Sequence, residues 1–196
     1  MEFTQRRNTQ LIATLLLLTV ISQAIYTALY LWASDVARHW LWGLEGLLFV
    51  ILAAVAGSAL VQSKQYSLGF SAIFASAILN VVQVGIGLTQ FGAFREASQG
   101  VEGLAPAAGS VVALSFFIYN AAKILLGLSA LIFGKAMLQD GSKIFGILTI
   151  FLGIAAIATN AIAVMFGRIE SLPSGALGVA ATLLLALCLL KLRTEK

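Results

Sequence analysis

Six continuous apolar stretches punctuate this chain of 196 residues, at 11–32, 41–61, 67–88, 108–133, 144–165 and 175–191. About 20 apolar residues are what an α-helix needs to cross the hydrocarbon core of a bilayer, so each stretch is long enough or nearly so. A β-barrel would instead alternate polar and apolar residues over strands of about ten. A helix also closes its own backbone hydrogen bonds, which lipid cannot do for it. Charge agrees: only 10% of the residues are charged and 60% are hydrophobic, against about 25% charged in soluble domains. Mean hydropathy is +0.99. The fold expected is an all-α membrane protein: one domain over 1–196, with six transmembrane helices in an antiparallel up-down bundle.

Lysine and arginine set the orientation, because loops that carry them stay in the cytoplasm. Arg6, Arg7, Lys64, Lys135, Lys143, Lys191, Arg193 and Lys196 fall on one side. Arg38, Arg95 and Arg168 fall on the other, beside Asp35, Glu96, Glu102 and Glu170. The bias places both termini in the cytoplasm, with a bacterial inner membrane as the expected location. Arg6 and Arg7 ahead of an apolar run, with Ser22-Gln23-Ala24 further on, also have the form of a secretory signal. The run continues through Trp32, long enough to span, and is read as a retained first helix. Trp32, Trp40 and Trp42, with Tyr26 and Tyr30, would anchor the outer boundary, and Tyr66 beside Lys64 the inner one. Connections of about six to ten residues make successive helices neighbours. Residues 89–107 form the longest connection, read as an outer loop, an interfacial helix or a lid.

The side-chain inventory removes many chemistries. Cys188 is the only cysteine and His39 the only histidine, so an intrachain disulfide, a zinc site of several Cys or His ligands, a bis-histidine haem and an iron–sulfur cluster are all short of ligands. No cofactor is expected. His39 follows Asp35 by four residues and is a candidate sensor of external pH. The net charge of +4 is scattered at the ends of apolar segments rather than gathered in a stripe, which argues against nucleic acid. No phosphate-binding loop, dinucleotide fingerprint, nucleophile elbow or zinc-protease helix is present, so an enzyme is the least favoured class.

A shift of 77 residues lays the second and third helices over the fourth and fifth without a gap, pairing 42–92 with 119–169. Leu48 meets Leu125, Ala53 meets Ala130, Gly57 meets Gly134, Gln62 meets Gln139 and Gly69 meets Gly146. A duplicated hairpin of this kind would be a parallel repeat, although sequences rich in Leu, Ala and Gly also match by chance. Ala53-xxx-Gly57 and Ala130-xxx-Gly134 have the small-residue spacing that lets helix backbones approach closely in lipid.

Seven amide or ionisable side chains stand out within the apolar stretches: Gln23, Glu45, Asn80, Gln83, Asn120, Lys123 and Asn160. Such groups are expensive in hydrocarbon and need a partner, a wet cavity or a function. Ser76, Asn80 and Gln83 share one helical face, and Phe116, Asn120, Lys123 and Gly127 another. The two stripes either line one cavity open to the outside or bond across helices as glue. Lys123 is the sharpest of the seven, because a lysine near the bilayer centre costs about 2.5 to 3.5 kcal/mol. Glu45 is the only acidic residue within a span and its natural partner, at an axial offset on the order of 10 Å. Against this stand snorkelling of Lys123 in a structural pair and an interfacial position for Glu45.

Leu44-Glu45-Gly46-Leu47-Leu48, running on through small and branched residues to Gln62, and Leu172-Pro173-Ser174-Gly175 before a Leu-rich last helix, resemble a group of uncharacterised six-helix bacterial membrane proteins. The resemblance implies the topology and no activity. The function expected is a bundle embedded in lipid with an outward-facing polar cavity that binds or transports a small polar, anionic or amphipathic molecule. Lys123 would attract the anionic group, Glu45 would balance it, and the amides would orient it. The alternative is a non-transporting accessory subunit that packs on itself or on a larger membrane complex through Ala53, Gly57, Ala130 and Gly134.

Overall fold

The computed structural model describes residues 4–33, 36–167, 169 and 172–192, without the Glu102 side chain. Asp35, Arg168, Glu170, Arg193 and Lys196 of the charge argument lie outside the described residues, as does the side chain of Glu102. Among the described residues every long element is helical: α1 (Gln5–Trp32), α2 (His39–Gln62), α3 (Ser67–Gly100), α4 (Ala105–Gln139), α5 (Lys143–Phe166) and α6 (Ser174–Lys191). All six are long and apolar enough to cross a membrane. The chain thus has the form of a multi-pass membrane protein.

Three boundaries differ from those expected, for one reason. Hydropathy marks where a helix enters hydrocarbon, whereas backbone hydrogen bonding continues past it. The α1 helix begins at Gln5 rather than 11 because the Thr4 hydroxyl caps it, accepting from the Arg7 N–H at 3.4 Å. α3 continues to Gly100 rather than ending at 88, so residues 89–107 are not a loop. They comprise the last third of α3, a single 3-10 turn at Glu102–Leu104 and the first turn of α4. Pro106 sits in that first turn, where a missing N–H costs nothing. At about 1.5 Å per residue, α3 and α4 are each about 51 Å long, well beyond the roughly 30 Å hydrocarbon core. α4 runs to Gln139 rather than 133 and stops at Gly141, whose φ of 87° suits a residue without a Cβ. There the Ser142 N–H reaches the Met137 carbonyl and the Gly141 N–H the Leu138 carbonyl, the paired bonds of a Schellman stop. The turns at 63–66 and 140–142 are accordingly tighter than the six to ten residues expected.

Helices α1, α2, α3, α4 and α6 form a closed circuit of neighbours, and α5 packs outside it on α4 and α6. Polar bonds hold the seams. Asn8 of α1 donates to Ser58 Oγ at 2.9 Å and Gln62 Oε1 at 3.0 Å of α2. Three bonds join α3 to α4: Ser129 Oγ to the Gly69 carbonyl at 2.7 Å, Ser76 Oγ to the Ala122 carbonyl at 2.9 Å, and Gln83 Nε2 to Ser115 Oγ at 3.2 Å. Between α4 and α5 the contact is backbone to backbone. A Cβ on Gly127 would lie 2.9 Å from the Gly153 carbonyl oxygen, and one on Gly134 would lie 3.1 Å from that of Gly146.

The circuit is filled unevenly. The apolar core takes Ile12–Leu16 of α1, Leu48–Ala59 of α2, Phe70–Ala77 of α3, Leu126–Met137 of α4 and Leu185–Leu189 of α6. Glu45, Asn80, Asn120 and Lys123, all buried, come just past these segments on one side, with Asn160 buried on α5, whereas the buried Asn8 lies at the opposite end, in the α1–α2 seam. The outer surface is apolar, with Leu47, Val50, Ile51, Ile147, Phe151 and Ile154 exposed.

Candidate functional site

Lys123 departs from α4 towards α6, where only a glycine leaves room for it. A Cβ on Gly178 would come within 2.9 Å of the Lys123 Cδ and 3.0 Å of its Cγ. The stem lies on this bare stretch of α6, and the ammonium carries on to α1, donating to Gln23 Oε1 at 3.1 Å. No backbone contact joins α1 to α4 among the described residues, and the Lys123 side chain reaches across the interior between them. It is 1% exposed. The snorkelling alternative, which needs the ammonium at a headgroup, does not describe this geometry.

Glu45 of α2 lies near Ser22 of α1 and near Lys123 of α4. The residue next to Ser22 is Gln23, so two successive positions of α1 serve the two ionisable groups. Ser22 Oγ is buried without a partner at hydrogen-bonding distance. Tyr119, one turn before Lys123 on α4, places its ring 5.1 Å from the ammonium. Cation–π contact of this kind gains strength away from water. Sequence reasoning missed Tyr119 and Ser22. The signal for Tyr119 was its i−4 spacing from Lys123, whereas nothing distinguished Ser22 from other small interior residues.

The remaining amides are dispersed. Gln83 bonds Ser115 in the α3–α4 seam, and Asn80 donates to the Ser76 carbonyl at 2.9 Å, beside the hydroxyl that crosses to α4. Asn160 donates to the Ser174 carbonyl at 3.2 Å, tying α5 to the start of α6, while its Oδ1 is buried without a partner. Asn120 donates to the Phe116 carbonyl at 2.7 Å and lines a groove between α4 and α5. The single face read for Phe116, Asn120, Lys123 and Gly127 therefore divides. Gly127 contacts α5 and Lys123 contacts α6, because a stripe three and four residues apart is wide enough to meet two neighbours. Ala130 and Gly134, offered above as an outward seam, are buried at 0% exposure and against α5 respectively.

Beyond the charged group the helix ends enclose a cavity of about 1030 Å³. Tyr26, Arg38, His39, Trp42, Phe91 and Arg95 are among its walls. Trp42 organises them: it stacks on Tyr26 at 5.7 Å and meets the edges of His39 at 5.9 Å and Phe91 at 5.7 Å. Gly87 admits the ring, since a Cβ there would lie 2.9 Å from it. Trp42 is thus a wall of the cavity, while Trp32 and Trp40 are exposed at 84% and 59% as anchors would be. Gln23 follows one turn from Tyr26, and Glu45 one turn from Trp42, about 4.5 Å along each helix. The cavity and the charged group are therefore consecutive layers of the same bundle. Comparisons with protein families, curated proteins and solved structures give no match. The functional reading accordingly rests on this geometry.

Proposed function

We propose that the chain is a polytopic membrane protein whose helices alternate up and down with both termini in the cytoplasm. Its cavity opens outside and binds or transports a small polar or amphipathic molecule carrying negative charge. The bilayer covers the apolar outer surface, and the apolar half of the bundle forms a plug on the cytoplasmic side. The excess of lysine and arginine near the plugged half supports this orientation.

One observation carries the reading: a buried ammonium spans the bundle to a neutral amide, one layer beneath an aromatic cavity. A structural ion pair would bring lysine and carboxylate into direct contact. Here Lys123 bonds Gln23, and Glu45 stands nearby on α2 as the balancing charge. An entering anion would replace Gln23 as the acceptor, a charge-assisted bond of about 1.5 to 3 kcal/mol. Asn80, Gln83 and Asn160 hold the seams that position this group, and Asn120 faces the adjoining groove.

The test is thermal melting of the detergent-purified protein with glycerol 3-phosphate, and with glycerol as the neutral control, since a ligand that binds the folded state raises the melting temperature. Stabilisation is expected from the anion alone, and Lys123→Gln should weaken its apparent affinity at least tenfold. Equal stabilisation of the parent and Lys123→Gln proteins by the anion would refute the assignment.

A further inference from the structure

The cavity has a second outlet. Between α4 and α5 runs a groove of about 490 Å³, walled by Phe116, Phe117, Ala163 and Val164 and closed at its deep end by Asn120. Gly109 and Val112 belong to both cavity and groove, so the two meet along one strip of α4. At Gly109 the partition is lowest, because a Cβ there would find no atom within 4 Å.

Polarity changes sharply across that strip. On the cavity side, among the described residues, stand Arg38, Arg95, the carboxylate Glu96 and His39. Arg38 is held in place, its guanidinium 5.7 Å from the Tyr26 ring and 5.3 Å from that of Tyr30. On the groove side Asn120 is, among the described residues, the only lining side chain that is not hydrocarbon. The exposed rings of Trp32 and Trp40 flank the cavity at the level where such side chains meet lipid headgroups. From Gly109 to Asn120 the groove descends about 16 Å, roughly half of the 30 Å hydrocarbon core. Its depth therefore matches one leaflet.

We propose that the cavity and groove together hold one anionic phospholipid, with its phosphate at Arg38 and Arg95 and one acyl chain passing over Gly109 into the α4–α5 groove. This names the ligand class for the cavity proposed above and rests on that cavity being an open binding site. The arginines select for phosphate, which a guanidinium matches through paired N–H donors. The groove selects for a chain, and Gly109 lets the two parts connect.

Native mass spectrometry of the detergent-purified protein, titrated with phosphatidic acid or with phosphatidylcholine of the same chains, reads the binding directly. Melting with glycerol 3-phosphate reads the headgroup alone. Phosphatidic acid is expected to bind at least tenfold more tightly than phosphatidylcholine. Ala113→Phe, which fills the groove at a residue that does not line the cavity, should remove that binding and leave the response to glycerol 3-phosphate intact. Arg95→Gln should weaken both. Equal binding of the two lipids, or phosphatidic acid binding indifferent to Ala113→Phe, would overturn the inference while leaving the polar cavity standing. Conversely, lipid binding that is lost in Ala113→Phe and Arg95→Gln but ignores Lys123→Gln would support the lipid site and refute the role given to Lys123.

Discussion

The Glu45→Ala protein is expected to be less stable than the parent by about 1 to 3 kcal/mol, the size of coupling found between groups of one buried network. Glu45 is 7% exposed and Lys123 1% exposed, so little water stands ready to replace either charge when the other is lost. The cost arises from what remains, an ammonium held on Gly178 beside the Gln23 carbonyl and the Tyr119 ring. Replacing both groups, as in Glu45→Ala with Lys123→Met, removes the uncompensated charge and should recover most of the loss. The cycle should yield a coupling of about 1 to 3 kcal/mol. Unfolding in mixed micelles measures it, and additivity within about 0.5 kcal/mol would mean the two charges do not sense one another.

A leucine at Gly127 is expected to do comparable damage by steric means. In that seam a Cβ would stand 2.8 Å from the Ile157 side chain and 2.9 Å from the Gly153 carbonyl. The second of these is backbone and cannot rotate aside. α5 would have to withdraw from α4, and since α5 otherwise touches only α6, little else would retain it. A loss of about 3 kcal/mol or more is anticipated, at the top of the range for overpacked interiors, seen as reduced yield of folded protein and a lowered melting temperature. Gly109→Ala, where a Cβ meets nothing, is the matched control and should melt within about 0.5 kcal/mol of the parent. Similar melting of Gly127→Leu and the control would contradict the close α4–α5 approach.

The helices and the site were legible in the sequence to different depths. Six spans could be read because the medium imposes a long apolar run on any helix that crosses it. The same reading ended α3 at 88 and α4 at 133, because Thr89, Arg95 and Lys135 end the apolar run without ending the helix. Asp140-Gly141 was the visible stop for α4, and a hydropathy window passes over it. Lys123, Glu45 and Gln23 stood out because an ionisable or amide group inside an apolar run requires an explanation. Their grouping did not stand out, since helical period fixes a face but not which neighbour that face meets. For the same reason Asn120 and Lys123, three residues apart, shared a stripe in sequence yet belong to different interfaces. The cavity was the least visible feature. Its walls come from α1, the α1–α2 connection, α2, α3 and α4, and Arg95 and Phe91 lie in the segment first read as a loop.

The most direct test asks from which side water reaches the layer of Gln23 and Lys123. In a Cys188→Ala background, Gln23→Cys and Ala56→Cys are exposed in intact cells to a membrane-impermeant thiol reagent. Gln23→Cys should react from the outer face, whereas Ala56→Cys, in the apolar half at 0% exposure, should react from neither. A Gln23→Cys protein that is inert from outside, or that reacts only when the cytoplasmic face is opened, would contradict an outward-facing cavity above the buried charge.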